Sequence, residues 1–150
     1  MAAAIAVRSK ADSILAAYSK SNILIMGDLN DTYNSKTLTV GLKVRNDYAD
    51  VCNTALYNLS ASLAKAGKGS IKYRNRWQLV DMFLVSGNLL DTASKPYCTP
   101  DDVSIYDADF LIEYMPASNT YRPKPTYRWI NYIGGYSDHL PVLMIIYKNH

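Results

Sequence analysis

Residues 22–31 read NILIMGDLND, and the reading of this stretch decides the fold. An almost unbroken apolar run, Ile23 to Met26, stops at Gly27 and gives way to Asp28, Asn30 and Asp31. A short continuous apolar run bounded by polar residues predicts a strand buried on both faces. Gly, Asp and Asn also build turns, so the acidic end taken alone reads as a turn. In the other reading, the strand delivers a carboxylate and an amide to a reaction site. Asp31 then reads as a turn former or an Asx cap for the segment that follows.

Upstream, residues 2–20 place Ala4, Val7, Ala11, Ile14, Leu15 and Tyr18 on one stripe, which predicts an amphipathic helix leading into the strand. Downstream, a helical turn is expected near Thr37 to Leu42, and a short helix over 55–66 closed by Gly67. Ser70–Tyr73 and Gln78–Val85 read as the strands of a hairpin with RNR (74–76) near its turn. Residues 91–102 read as loop, 103–115 as a strand then a helical turn, and 116–129 as loop marked by Pro116, Pro123 and Pro125. LPVLMIIY (140–147) reads as a closing strand. No repeat, linker or low-complexity tract interrupts this order. The sum is one α+β unit with mixed strands.

Composition sets the limits. The chain has 150 residues, 49% hydrophobic and 19% charged, which suits one globular domain with a real core. Its longest apolar runs are too short to span a bilayer. MAAAIAV at the start lacks the basic segment and long apolar stretch of a signal peptide, so localisation is not written here. The net charge of +3 permits phosphate binding without implying a nucleic-acid protein. Cys52 and Cys98 lie far apart, form no CxxC motif and read as buried thiols, with a disulfide as the alternative that nothing in the sequence indicates.

A second polar mark lies in GGYSDHLPVLMIIY (134–147), where Asp138 and His139 precede the last apolar run. If the strand ending at Asp28 and the strand following His139 are antiparallel neighbours, both clusters reach one sheet edge. Asp28, Asn30, Asp138 and His139 would then share a site. Carboxylates suit Mg²⁺, histidine suits acid–base work, and Asn donates to an oxyanion without adding charge. Together they read as metal-assisted attack of water on a phosphate ester. Asp81, in RWQLVDMFLVS (76–86), is an acid inside an apolar run and needs a partner, which His139 would supply.

GDLND, VDMFLVS and YSDHLPV, in this order, resemble the signature motifs of the endonuclease/exonuclease/phosphatase family, whose fold is that of deoxyribonuclease I; the loop GDLNDTYNSKTL (27–38) and the segment 56–90 resemble bacterial members of the Bacteroidetes kind. The resemblance implies an α/β sandwich of four layers, with a mixed, largely antiparallel sheet and flanking helices. It implies that residues 1–150 form the C-terminal portion of such a domain, since no segment resembles the N-terminal half with its principal metal-binding Glu; Glu113 matches no motif. It further implies roles. Asp28 orients or deprotonates the attacking water, and Asn30 holds a phosphate oxygen. Asp138 binds Mg²⁺, with Mn²⁺ as an alternative. His139 contacts the scissile phosphate, and Asp81 fixes its tautomer.

Arg76 and Trp77, beside Arg74, are candidates for substrate phosphate and base contacts, against the plainer reading of a solvated hairpin tip. YRPKPTYRWINY (121–132) reads as a substrate-facing or a packing loop, with Tyr127 or Trp129 in the core. The implied function is hydrolysis of a phosphodiester or phosphomonoester in nucleic acid, nucleotide, lipid or inositol phosphate, weak in this chain alone. The rival is a non-catalytic remnant or interaction module. A half-domain also leaves an apolar sheet face bare, which predicts self-association or pairing with an N-terminal half.

Overall fold

The computed structural model describes residues 1–148 and has the α+β class expected. Helix α1 (Ala2–Ala17) leads into strand β1 (Leu24–Asp28). A wide helical turn, Thr37–Gly41, precedes the short strands β2 (Val44–Arg45) and β3 (Leu56–Asn58), and α2 (Ala61–Lys65) follows. Strands β4 (Ile71–Tyr73) and β5 (Arg76–Gln78) form a tight hairpin, and β6 (Asp81–Ser86) runs on from it. The remaining strands are β7 (Val103–Ile105), β8 (Ile112–Met115), β9 (Thr120–Pro123), β10 (Tyr127–Arg128), β11 (Asn131–Tyr132) and β12 (Val142–Met144).

The central sheet has the order β1-β6-β3-β2, antiparallel except for the parallel β2–β3 pair. Side chains alternate across it, so opposite faces carry two different cores. On one face, Met82 and Leu84 of β6 and Leu56 of β3 pack with Ala4 and Ala11 of α1 and with Leu38 and Leu42 of the wide turn. On the other, Tyr57 and Val85 pack with Val103 of β7, Leu89 and Cys98, joined by Phe83, Val142 and Met144. The antiparallel β7–β12 pair is thus a second small sheet laid over β6 and β3.

This second layer stops short of β1. Leu24 and Met26 share the Phe83–Val85 face by register, yet both are exposed, Met26 at 65%. The expectation that β1 is buried on both faces therefore fails: only Ile23 and Ile25 pack inward. β12 pairs with β7 and not with β1, so the antiparallel neighbourhood expected for the two acidic clusters is also absent. β1 lies beside β6 instead, with Asp28 opposite Asp81.

Other expectations are corrected as well. Residues 56–58 are strand, because Leu56, Tyr57 and Asn58 are fully buried in the sheet and only Ala61–Lys65 turns helical. Gln78–Val85 is not one strand: the chain leaves the hairpin at Gln78 and enters the central sheet at Asp81. Residues 116–129 hold β9 and the start of a second hairpin. The last strand covers only Val142–Met144. Tyr127 and Trp129 are both exposed, so neither joins the core. Cys98 is buried but Cys52 is an exposed free thiol.

Candidate functional site

β1 ends where its residues stop packing. Gly27 has φ +130, a conformation that side-chain-bearing residues rarely adopt, although a Cβ there would meet only open space. The turn beyond it is closed locally: Asn30 N–H donates to Asp28 Oδ1 at 2.8 Å, with Asn30 itself left-handed at φ +51. Asn tolerates that region, and the Asx turn sets both side chains at the strand end. Leu29 N–H, donating to Val80 O at 2.9 Å, ties the turn to the approach to β6.

Asp81 opens β6 and receives two donors. Buried Ser70 donates from Oγ to Asp81 Oδ2, and His139 Nδ1 lies 2.7 Å from the same oxygen. A proton on Nδ1 bonded to the carboxylate leaves Nε2 as the nitrogen free for other chemistry. His139 is held by its backbone too. Its N–H donates to Ser137 Oγ at 3.0 Å, Ile71 and His139 form an isolated antiparallel bridge, and Leu140 N–H donates to Ser70 O at 2.7 Å. The segment 137–140 is therefore laid against β4, and this contact brings the histidine to Asp81.

His139 forms a wall shared by two openings. One, of about 490 Å³, is lined by Asp28, Asn30, Asp31 and Thr32 with Ile71, Tyr73, Gln78 and Val80. The other, of about 380 Å³, includes Gly27, Asp81, Phe83 and Ser137. Four of the residues singled out from sequence, Asp28, Asn30, Asp81 and His139, thus surround one sheet end. Asp31 faces the larger opening. Partial burial raises its pKa, but donors from Thr37, Ser35 and Thr32 outweigh that and hold its carboxyl below the usual range.

Asp138 takes a different position. It is exposed and lines a separate concavity with Ser137, Tyr136, Arg128 and Trp129, whereas Asp28 and His139 line the larger opening. Arg76 and Trp77 also part company. In the β4–β5 register, Tyr73 opposes Arg76 and Lys72 opposes Trp77. Opposed residues share a face, so exposed Arg76 stands on the Tyr73 side, towards the larger opening. Trp77 turns to the far side, with Lys72 Nζ 5.0 Å from its ring centre. Arg74 and Asn75 carry the turn, both at positive φ as a two-residue hairpin requires.

Among the described residues, no group of three or more His, Cys, Asp or Glu side chains converges as a metal centre would need. Asp28 and Asp138, in separate concavities, do not fit a complete Mg²⁺ site. Glu113 is engaged elsewhere, accepting from Arg122 Nε at 2.6 Å and from Arg128 at 2.5 Å. Ser70, Tyr73 and Gln78 are site residues that sequence reasoning missed. Ser70 stood in a predicted strand, but only the packing of segment 137–140 on β4 gives it Asp81 as a partner.

The fold and site define an α+β protein with a carboxylate-oriented histidine beside an Asp–Asn strand terminus. The chain belongs to the endonuclease/exonuclease/phosphatase family, whose profile it matches over residues 1–148. The family implies a hydrolase acting on phosphoester substrates. No curated protein and no solved structure matches the chain.

Proposed function

We propose that this chain binds a phosphate ester in the opening beside His139 and promotes attack of water on it. The observation that carries the reading is the 2.7 Å His139–Asp81 contact at the wall of the opening lined by Asp28 and Asn30. Asp28 orients water and accepts its proton as the water oxygen bonds to phosphorus. Asn30 Nδ2 donates to a non-bridging oxygen. His139, protonated and steadied by Asp81, gives its Nε2 proton to the leaving oxygen as the ester P–O bond breaks. Arg76 supports the substrate's further charge. Because the described carboxylates do not converge, slow turnover is expected.

A panel of phosphodiesters and phosphomonoesters assayed at high protein concentration with Mg²⁺ or Mn²⁺ tests this. The expected result is slow release of product, lowered about 10²-fold or more in His139→Ala. Equal rates in the two proteins would overturn it. The separation of Asp28 from Asp138 in different concavities favours a second reading, phosphate binding without cleavage. Phosphate-dependent shifts of the His139 ring signals in a protein that releases no product would select that reading.

A further inference from the structure

Trp77 stands on the face of its hairpin opposite Tyr73 and Arg76, and the proposed chemistry does not use it. It lines a separate cavity of about 280 Å³ with Ile105 of β7, Ile112 of β8 and Leu140. Leu140 is buried and the other three are half-buried, so different elements supply one apolar lining. Lys72 fixes the indole: its Nζ lies 5.0 Å from the ring centre and donates to Thr120 Oγ1 of β9 at 2.9 Å. Residues 67–69 add a strip of wall. A Cβ at Gly69 would collide with the Gln78 backbone, so this strip lies close against β5, and its one side chain is that of Lys68. Asp107 faces the same cavity. Lys68 and Asp107 are exposed, and among the described residues neither belongs to an ion pair.

We propose that this cavity binds a free α-amino acid with an apolar side chain, its carboxylate on Lys68, its ammonium on Asp107 and its side chain against Trp77, Ile105, Ile112 and Leu140. The volume falls below the roughly 300–1,000 Å³ of pockets for drug-sized ligands, so the ligand is small. The apolar lining selects an apolar body. The two charges select the rest. A neutral apolar molecule would cover Lys68 and Asp107 without replacing the water that solvates them. An anion would suit Lys68 and be repelled by Asp107, and a cation would meet the reverse. A side chain inserted by another protein arrives on neutral backbone amides and answers neither charge. A zwitterion answers both with charge-assisted hydrogen bonds, and one small molecule then satisfies every group of the wall. The site lies outside the ester chemistry, and its occupancy does not depend on turnover.

Titration of the full chain carrying Trp129→Phe, which leaves Trp77 as the sole tryptophan, reads the site directly. Leucine is expected to change the Trp77 emission saturably, with a matching heat in calorimetry of the parent chain. Leucinamide lacks the carboxylate and N-acetylleucine lacks the ammonium; each is expected to bind at least about threefold more weakly. Lys68→Ala should erase the preference for leucine over leucinamide, and Asp107→Ala the preference over N-acetylleucine. Both side chains are exposed, so both variants should keep the circular dichroism of the parent. Absence of both emission change and heat, equal binding of the three compounds, or preferences that survive both substitutions would overturn the proposal. So would tighter binding of N-acetylleucinamide than of leucine, which would mark the cavity as a seat for a peptide side chain. The ester assay is read separately, so failure of the chemical reading leaves this test intact.

Discussion

His139 Nδ1 lies 2.7 Å from Asp81 Oδ2 across a separation of 58 residues. The carboxylate starts a strand of the central sheet, while the imidazole comes from the loop before β12, in the overlying layer. Neither partner is fully exposed, so the pair is screened less than a surface ion pair would be. If the pair orients the imidazole, Asp81→Asn should lower ester turnover by about 10²–10⁴-fold, since the amide can hold the wrong tautomer. Substrate binding should change far less. A kcat for Asp81→Asn equal to that of the parent would remove Asp81 from the mechanism.

Ser70 is predicted to be a positioning residue. Ser70→Ala removes one donor from Asp81 in a buried place, which costs about 1–3 kcal/mol of stability. It should also move the pH–rate profile, because the remaining carboxylate charge falls on His139 alone. A denaturation curve together with the profile checks both parts. A stability loss with an unmoved profile would make Ser70 purely structural.

Gly27→Ala should destabilise the fold by about 1 kcal/mol or more, although nothing lies near the added methyl group. The cost is backbone strain at φ +130. Urea denaturation should therefore show a lower midpoint with an unchanged slope. An unchanged midpoint would mean that β1 can relax at this position.

The two thiols should separate cleanly. Hydrogen bonds from the Thr54 side chain and backbone hold the exposed Cys52 thiol below its usual value, whereas burial, with Asp102 nearby, pushes Cys98 up to about 11. Iodoacetamide at pH 8 should modify Cys52 in the native protein and reach Cys98 only in denaturant. The raised Cys98 value also fixes a sign. Its ordinary pKa is 9.0, so its stabilising contribution is intact below about pH 9 and lost as pH rises towards 11. Cys98→Ala should remove that part of the alkaline decline.

The bare face of β1 bears on association. Leu24 and Met26 sit beyond the edge of the β7–β12 layer, and β1 is the terminal strand of its sheet. Apolar side chains on an unpaired edge strand invite pairing. Sedimentation velocity at rising concentration should show self-association that Met26→Lys diminishes. A monomer at all concentrations would refute this.

Much of the site could be read along the chain because its parts are local. A glycine at the end of an apolar run, then Asp, Leu and Asn, specifies a strand end closed by an Asx turn, and that depends on near neighbours only. Ser137 beside Asp138 and His139 is legible in the same way, as the acceptor for the His139 N–H. Helix α1 followed its apolar spacing, although Val7 and Tyr18 of the expected stripe remain exposed. The β3 strand was hidden because the Ala and Leu residues around it favour a helix, and burial of Leu56 and Tyr57 in the sheet overrides that preference.

The sequence by itself determined which chemical groups are available and which short segments present them: Asp28 and Asn30 at the end of an apolar run, Asp81 within another, Asp138 and His139 before a third. Only the tertiary structure decided who meets whom. It placed β1 against β6 rather than β12, docked segment 137–140 on β4 to bring His139 to Asp81, and left Asp138 in another concavity. The physical reason is that side-chain periodicity fixes a residue's face within its own element. Partnership between elements depends on which apolar faces bury each other, and that is a property of the whole packed chain.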